Sequence, residues 1–402
     1  MIIKPRIRNF ICTTAHPVGC AQQVSEQCAL AENAGDFGHY NHVLVIGCST
    51  GYGLASRISA MVNYGANTLG VMFEKAPAET KTGTAGWYNN LAFEQLAQQR
   101  GLKATTLNGD AFSTSLKHEL IEKAKEEFGP FDLVIYSLAA PKRKSEESGE
   151  IWSSVLKPVS QDFEGITLDT DTMKLKPIKI EKATEGEIEA TIKVMGGEDW
   201  ASWMQHLHDA HLLAPGCRTL AYNYIGRELT WPIYGKATIG KAKEHLLETA
   251  EQISHRLAPL GGKAQVAVLK AVVTQSSSAI PIMPLYISLL FRVMKEQGVH
   301  EMPMEQILRL FRDRLGESAF SGTPPGNEVS GMLRVDEQEL SDAVQDEVAR
   351  RWAMISDDNL CELADTEGYR QAFLRLFGFG CEGVDYEQDI DPITGMAVQA
   401  EV

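Results

Sequence analysis

The sequence predicts an α/β fold built on a doubly wound parallel sheet, and three patterns carry that prediction. Apolar runs too continuous for half-solvated strands recur from Val43 to Pro141. They alternate with segments of helical periodicity, the order expected when helices cover both faces of a parallel sheet. A glycine turn joins the first run to the first helix pattern.

The elements follow in order. "NHVLVIGCSTGYGLASRISAMV" reads as a strand from Val43 to Ile46, a turn at Gly47 and a helix. "NTLGVMFEK" (67–75) is a second strand, and "NNLAFEQLAQQRG" (89–101) an amphipathic helix stopped by glycine. "KATTLNGDA" (103–111) is a third strand, followed by a helix over 113–129 capped by Ser113 or Thr114. "FDLVIYSLAAP" (131–141) is the fourth strand.

The alternation then breaks. "PKRKSEESGE" reads as a charged, exposed loop, and 163–183 alternates with period two about a polar turn, which predicts a β-hairpin. Helix patterns follow at 184–195 and 198–212. Strand 217–226, helix 237–256 and strand 263–273 restore the alternation. Beyond Pro284 the chain reads as helices at 284–297, 303–315, 335–354 and 366–376, with a loop at 321–331. The expectation is one enlarged Rossmann-type domain over 1–402, with an insertion at about 142–213 and a helical C-terminal cap at about 284–402.

Composition narrows the function. With 402 residues, 44% of them hydrophobic and 23% charged, the chain can bury a large core. It shows neither a run of about eighteen apolar residues nor a signal-peptide pattern, so a soluble cytoplasmic protein is expected. Seven cysteines without a C-x-x-C pair fit reduced, mostly buried thiols. A formal charge of −15 argues against nucleic-acid binding, which needs a cationic face.

Gly47, Gly51 and Gly53 stand between the first strand and first helix in the spacing G-x-x-x-G-x-G. Glycines there let the backbone approach a pyrophosphate at a helix N-terminus. Ser56 takes the place of the last glycine of the dinucleotide pattern, so an ordinary turn is the rival reading. Glu74 ends the second strand, where a carboxylate accepts hydrogen bonds from an adenosine ribose and repels a 2′-phosphate. NAD(H) is therefore favoured over NADP(H), with Lys75 beside it working the other way. Asp110 with Ala111, and Leu138 with Ala139, follow the next two strand ends and fall on the same crevice.

"LTWPIYGKATIGKAKEHLLE" (229–248) holds the candidate chemistry. None of the eleven tyrosines has Lys four places later, which disfavours a short-chain carbonyl or alcohol oxidoreductase. Tyr234 and Lys243 are nine steps apart, about 180° of rotation and about 13 Å of rise on a straight helix. They converge only if Tyr234 sits on a bent entry segment, which Pro232 and Gly235 permit.

"GCSTGYGLASR", "GTAGWYNN", "NGDAFS", "YSLAAPKRK", "VMGGEDW", "ELTWPIY" with its Lys nine residues on, and "AVVTQSSSAIPIMPLYI" together resemble the FabV-type trans-2-enoyl reductases. That family comprises bacterial enoyl-acyl-carrier-protein reductases and trans-2-enoyl-CoA reductases, and the likeness runs over essentially the whole chain. The resemblance implies NADH-dependent reduction of the C2=C3 bond of 2-enoyl thioesters on acyl carrier protein or CoA, the last reductive step of fatty acid elongation. It assigns Tyr234 as proton donor, Lys243 as active-site lysine and cofactor contact, and Tyr224 as substrate-binding tyrosine. The cofactor positions it implies are Gly47, Cys48, Ser49, Thr50, Gly51, Tyr52, Phe73, Glu74, Asp110, Ala111, Leu138, Ala139, Val272, Val273 and Thr274. It implies a monomer. Gly235 departs from the bulky Trp that the family usually carries after the tyrosine.

In physical terms, hydride addition to the β-carbon leaves negative charge on the thioester oxygen, which a phenol can stabilise or protonate. A protonated Lys243 is expected to hold the nicotinamide ribose and lower the tyrosine pKa. A non-catalytic NAD(H)-binding regulator is the rival from another class. His206, His208 and His211 read as an exposed helix end rather than a metal site. Lys142, Arg143 and Lys144 read either as a solvated loop or as a dock for an acidic carrier protein or CoA phosphates. The apolar positions of 284–297 read as core.

Overall fold

The computed structural model describes residues 1–8, 11–315 and 332–393; the loop expected at 321–331 lies outside them. β1 (Ile7–Arg8) and β2 (Ile11–Cys12) pair antiparallel ahead of α1 (Pro17–Ala34). The alternating unit follows as β3 (His42–Ile46), α2 (Gly51–Tyr64), β4 (Asn67–Met72), α3 (Ala85–Gln99), β5 (Ala104–Asn108), α4 (Thr114–Glu127) and β6 (Phe131–Tyr136). Two antiparallel pairs come next, β7 (Lys142–Lys144) with β8 (Ile151–Ser153) and β9 (Phe163–Asp169) with β10 (Lys174–Ile180). α5 (Glu185–Met195), α6 (Glu198–Asp209), β11 (Leu213–Asn223), α7 (Thr238–Leu257) and β12 (Lys263–Val268) return the chain to the sheet. The remainder is α8 (Gln275–Ser278), α9 (Met283–Glu296), α10 (Pro303–Leu310), β13 (Met332–Arg334), α11 (Asp342–Met354), α12 (Leu360–Leu363) and α13 (Thr366–Arg375).

Seven strands form one parallel sheet in the order β13-β12-β11-β6-β3-β4-β5. Val43 to Ile46 are fully buried because helices cover both faces, which is why β3 reads as a continuous apolar run. The order reverses between β3 and β6, and this switch point opens a crevice at the carboxyl ends of the strands. α9 is apolar nearly all round, with Leu285, Tyr286, Ile287, Leu289 and Leu290 without exposure, so it lies inside the protein.

The structure departs from the sequence reading in four places. α1 was not expected: its buried stripe is Cys20, Val24, Cys28 and Ala31, small residues set among Gln, Ser and Glu that give a weak amphipathic signal. The tail is not helical throughout, since β13 extends the sheet with three residues alongside Val266–Val268. Lys142–Lys144 is a strand, not a loop; Arg143 points inward, pairs with Glu198 at 3.1 Å and lies over Phe112 and Trp152. The helix expected from 335 begins only at Asp342, after a turn containing Glu339.

Candidate active site

The glycine turn is built by close backbone approach. Gly47 has φ of 83°, and a Cβ there would lie 2.0 Å from the Ser137 carbonyl oxygen. A Cβ on Gly53 would lie 1.9 Å from the Gly47 carbonyl oxygen, so α2 packs onto the end of β3 without side chains between them. Gly53 thus does the packing usually given to the third glycine, and Ser56 is buried with its hydroxyl donating to the Tyr52 carbonyl at 2.6 Å.

Beside this turn, Ser49 Oγ donates to Glu74 Oε1 at 2.6 Å, and Asn108 brackets the Glu74 backbone from β5. A Cβ on Gly86 would lie 2.1 Å from Glu74 Oε1, which explains the glycine in "GTAGWYNN". Phe73 is 79% exposed, an aromatic face left bare at the cleft.

The opposite wall is assembled from distant segments. After β11 the chain turns, with the Tyr234 N–H donating to the Thr230 carbonyl at 2.8 Å and the Lys236 N–H to the Trp231 carbonyl at 2.7 Å. α7 starts only at Thr238, so Tyr234 precedes the helix while Lys243 lies within it, as convergence requires. A Cβ on Gly240 would lie 2.1 Å from the Gly235 carbonyl oxygen; that glycine lets the turn fold back onto α7. A Cβ on Gly235 would itself lie 2.7 Å from Trp231 Cδ1, so an indole from four residues earlier stands beside the missing side chain.

Tyr224 and Tyr234 meet edge to face, centroids 5.0 Å apart and planes at 78°. Lys243 Nζ donates to the Tyr222 carbonyl at 3.3 Å. Behind Tyr224 stands Glu339, fully buried. Its Oε1 accepts from the hydroxyls of Tyr224 at 3.1 Å and Tyr286 at 2.7 Å, and its Oε2 from the Ala271 N–H at 2.6 Å. The sequence reading missed Glu339, one acid among several in "RVDEQELSD" with no spacing to mark it.

Burial sets the protonation states. It pushes the Tyr234 phenol above its ordinary value, and no effect of Lys243 offsets it. Desolvation of the phenolate is thus the dominant influence on Tyr234. Burial lowers Lys243 to about 8. Tyr224 is raised well above its usual range by burial and then by the Glu339 charge, and burial raises Glu339 too. Both cleft tyrosines are thus neutral hydrogen-bond donors at neutral pH.

One cleft of about 680 Å³ is lined by Tyr224, Tyr234 and Lys243 together with Gly47, Ser49, Thr50, Gly51, Tyr52, Phe73, Glu74, Asp110, Ala111, Leu138, Ala139, Val272 and Thr274. Cys48 and Val273 stand behind that lining; the Cys48 thiol turns inward to Asn90 at 3.3 Å. Met195, Ile280 and Met283 add apolar surface. The histidines go elsewhere: His206 Nδ1 lies 2.8 Å from the Ser202 carbonyl, and His208 faces its neighbour Asp209. Six of the seven cysteines are buried and all are free.

A glycine turn at the switch point of a parallel sheet, an acid at the next strand end and a donor-lined cleft across both define a dinucleotide-binding α/β oxidoreductase. The cradle fits a dinucleotide, since side chains at Gly47, Gly53 or Gly86 would collide with the residues around it.

Family models match almost the whole chain. Residues 2–79 match the NAD(P)H binding domain of trans-2-enoyl-CoA reductase, 81–316 the trans-2-enoyl-CoA reductase catalytic region, and 329–390 the enoyl reductase FAD binding domain. The chain belongs to this enoyl reductase family. It is 54% identical to an enoyl-[acyl-carrier-protein] reductase [NADH] of Pseudoalteromonas atlantica, over 97% of this chain and 98% of that protein. Its structure is similar to the trans-2-enoyl-CoA reductase of Clostridium acetobutulicum in complex with NADH, TM-score 0.95 at 40% identity, covering 98% and 99% of the two chains. The Treponema denticola trans-2-enoyl-CoA reductase in complex with NAD gives 0.93 at 46%, covering 97% and 98%. A flavin finds no cradle from residues 329–390 in this cleft: none of the described residues of that stretch lines it, and the buried Glu339 faces tyrosine hydroxyls behind it.

Proposed function

We propose that the protein reduces the C2=C3 bond of trans-2-enoyl thioesters with NADH, as the last reductive step of acyl-chain elongation. One observation carries the reading: two neutral tyrosines and a lysine from separate segments share a cleft with the glycine turn and Glu74. Bound NADH supplies the hydride that reaches the β-carbon. The chain's part is to position and to stabilise. Tyr234 donates to the thioester oxygen as negative charge develops there and delivers the proton directly or through water. Tyr224, its hydroxyl donating to Glu339, lines the substrate side of the cleft edge to face with Tyr234. Lys243, protonated below about pH 8, binds the nicotinamide ribose. Glu74 accepts from the adenosine ribose, Phe73 offers a face to the adenine, and Asp110, Ala111, Leu138 and Ala139 border the path of the dinucleotide. Met195, Ile280 and Met283 receive the acyl chain.

The reading extends to a single enlarged domain acting as a cytoplasmic monomer. Links such as Glu339 to Tyr224, and the Tyr88 hydroxyl to the Pro392 carbonyl at 2.9 Å, tie the C-terminal stretch to the sheet and support it. Among the described residues no helix is long and apolar enough to cross a membrane. The test follows NADH oxidation with crotonyl-CoA, with an enoyl group on acyl carrier protein and with ketones, and repeats each with NADPH. Faster turnover of ketones selects a carbonyl reductase; turnover of none selects a binding protein.

A further inference from the structure

A second cavity, of about 790 Å³, adjoins the dinucleotide cleft on the far side of Glu74. The two are continuous, for Thr50, Gly51, Glu74, Thr274 and Gln275 line both. One wall is the N-terminal β1–β2 pair; the other is the segment from Glu74 to Gly86. Both walls are fixed by hydrogen bonds. The Arg6 N–H donates to Thr14 Oγ1 at 3.0 Å, the Ala15 N–H to Thr82 Oγ1 at 3.2 Å, and the Lys75 N–H to Thr84 Oγ1 at 3.0 Å.

The charge distribution at this mouth runs against that of the whole chain. The protein carries −15, yet Lys4, Arg6, Arg8, Lys75 and Lys81 all line this cavity. Lys4 is paired with Glu387. Among the described residues the other four make no ion pair, and all are exposed. The carboxylate on the lining, Glu74, is engaged by Ser49. Four unpaired cations around a cavity of this size, with threonine hydroxyls between them, form a receptor for phosphate groups. The Lys142–Lys144 run is a poorer one, since Arg143 is committed to Glu198 and two aromatic rings.

We propose that this cavity binds the phosphate groups of the thioester carrier, held by Arg6, Arg8, Lys75 and Lys81 while the thioester arm passes Gln275, alongside the dinucleotide, toward Tyr234. The inference rests on the enoyl-thioester reading above. The same phosphate chemistry is present in CoA and in the phosphopantetheine of a carrier protein.

The test compares the wild type with a combined Arg6→Gln, Arg8→Gln, Lys81→Gln variant, whose exposed substitutions leave the packed core untouched. The ratio of kcat/KM for crotonyl-CoA to that for the phosphate-free crotonyl N-acetylcysteamine thioester falls about ten-fold, the scale of losing charge-assisted phosphate contacts. An equal loss on both thioesters, or a matching rise in KM for NADH, overturns the proposal, because the cations would then serve folding or the dinucleotide. Equilibrium titration of the NADH-loaded protein with free CoA and with phosphopantetheine is independent of turnover, so it separates this proposal from the reductase reading. Binding of either probe, weakened about ten-fold in the variant and by added salt, supports it and names the source. No binding of either to the wild type sinks it.

Discussion

The two walls of the dinucleotide cleft are built on opposite principles. On the glycine-turn wall the buried cation Arg57 is fully engaged, donating to Thr68 Oγ1 at 3.1 Å, Asn90 Oδ1 at 2.9 Å, Thr106 Oγ1 at 2.7 Å and the Thr105 carbonyl at 2.8 Å. On the tyrosine wall Lys243 has one carbonyl at 3.3 Å, and burial holds its pKa down at about 8. The first wall is a platform whose buried cation is satisfied internally. The second keeps donors in reserve for a ligand, the arrangement expected where charge develops during a reaction.

Removing the reserve breaks the contrast most sharply. Tyr234→Phe is expected to lower kcat by about 10²–10⁴-fold, the usual weight of a positioned acid, with KM for NADH little changed. Steady-state kinetics on crotonyl-CoA read both, and activity within two-fold of wild type would refute the assignment. Gly47→Val attacks the platform instead. It forces a β-branched residue to positive φ and drives its Cβ into the Ser137 carbonyl, so stability falls by about 2 kcal/mol or more in urea titrations and NADH binding is lost.

Glu339 lies between these extremes. Glu339→Ala strands the Tyr224 and Tyr286 hydroxyls, costing about 1–3 kcal/mol of stability and raising KM for the thioester. Glu339→Gln keeps one acceptor oxygen for the tyrosines and restores part of the KM, whereas Glu339→Met, similar in size without an acceptor oxygen, restores none, which separates hydrogen bonding from a steric role. The smallest expected effect is that of pH. Lys243 has its folded pKa at about 8 against an ordinary 10.5, so below pH 8 both folded and unfolded chains carry the proton. Between those values the unfolded chain binds it and the folded one does not, so this group makes stability rise with pH across that window. NADH affinity moves the other way, weakening as pH climbs through about 8, and Lys243→Met flattens that profile in fluorescence titrations.

The two walls also differ in how far they could be read before folding. Strand, turn and helix around Gly47 follow one another within about twenty residues, so periodicity and turn chemistry expose them directly. Phe73, Asp110 and Leu138 fall at the cleft for the same reason: each follows the carboxyl end of a strand in a parallel sheet. Tyr234 and Lys243 were legible as a condition, since helix geometry required a bent approach, and Gly240 beneath Gly235 is what met it. Glu339 was not legible. It sits in a turn far along the chain, and only packing of α9 beside it brings Tyr286 and Tyr224 to one carboxylate.

By itself the sequence determined the parallel sheet, the glycine cradle and the acid at Glu74, because backbone sterics and side-chain periodicity act over short stretches. It also determined the family through its motifs. Tertiary structure alone decided that β13 would lie beside β12, that Lys142–Lys144 would pair as a strand, and that burial would push the Tyr234 phenol upward. Those outcomes depend on burial and on contacts with residues outside the segment itself, and desolvation is a property of the assembled protein, not of any segment.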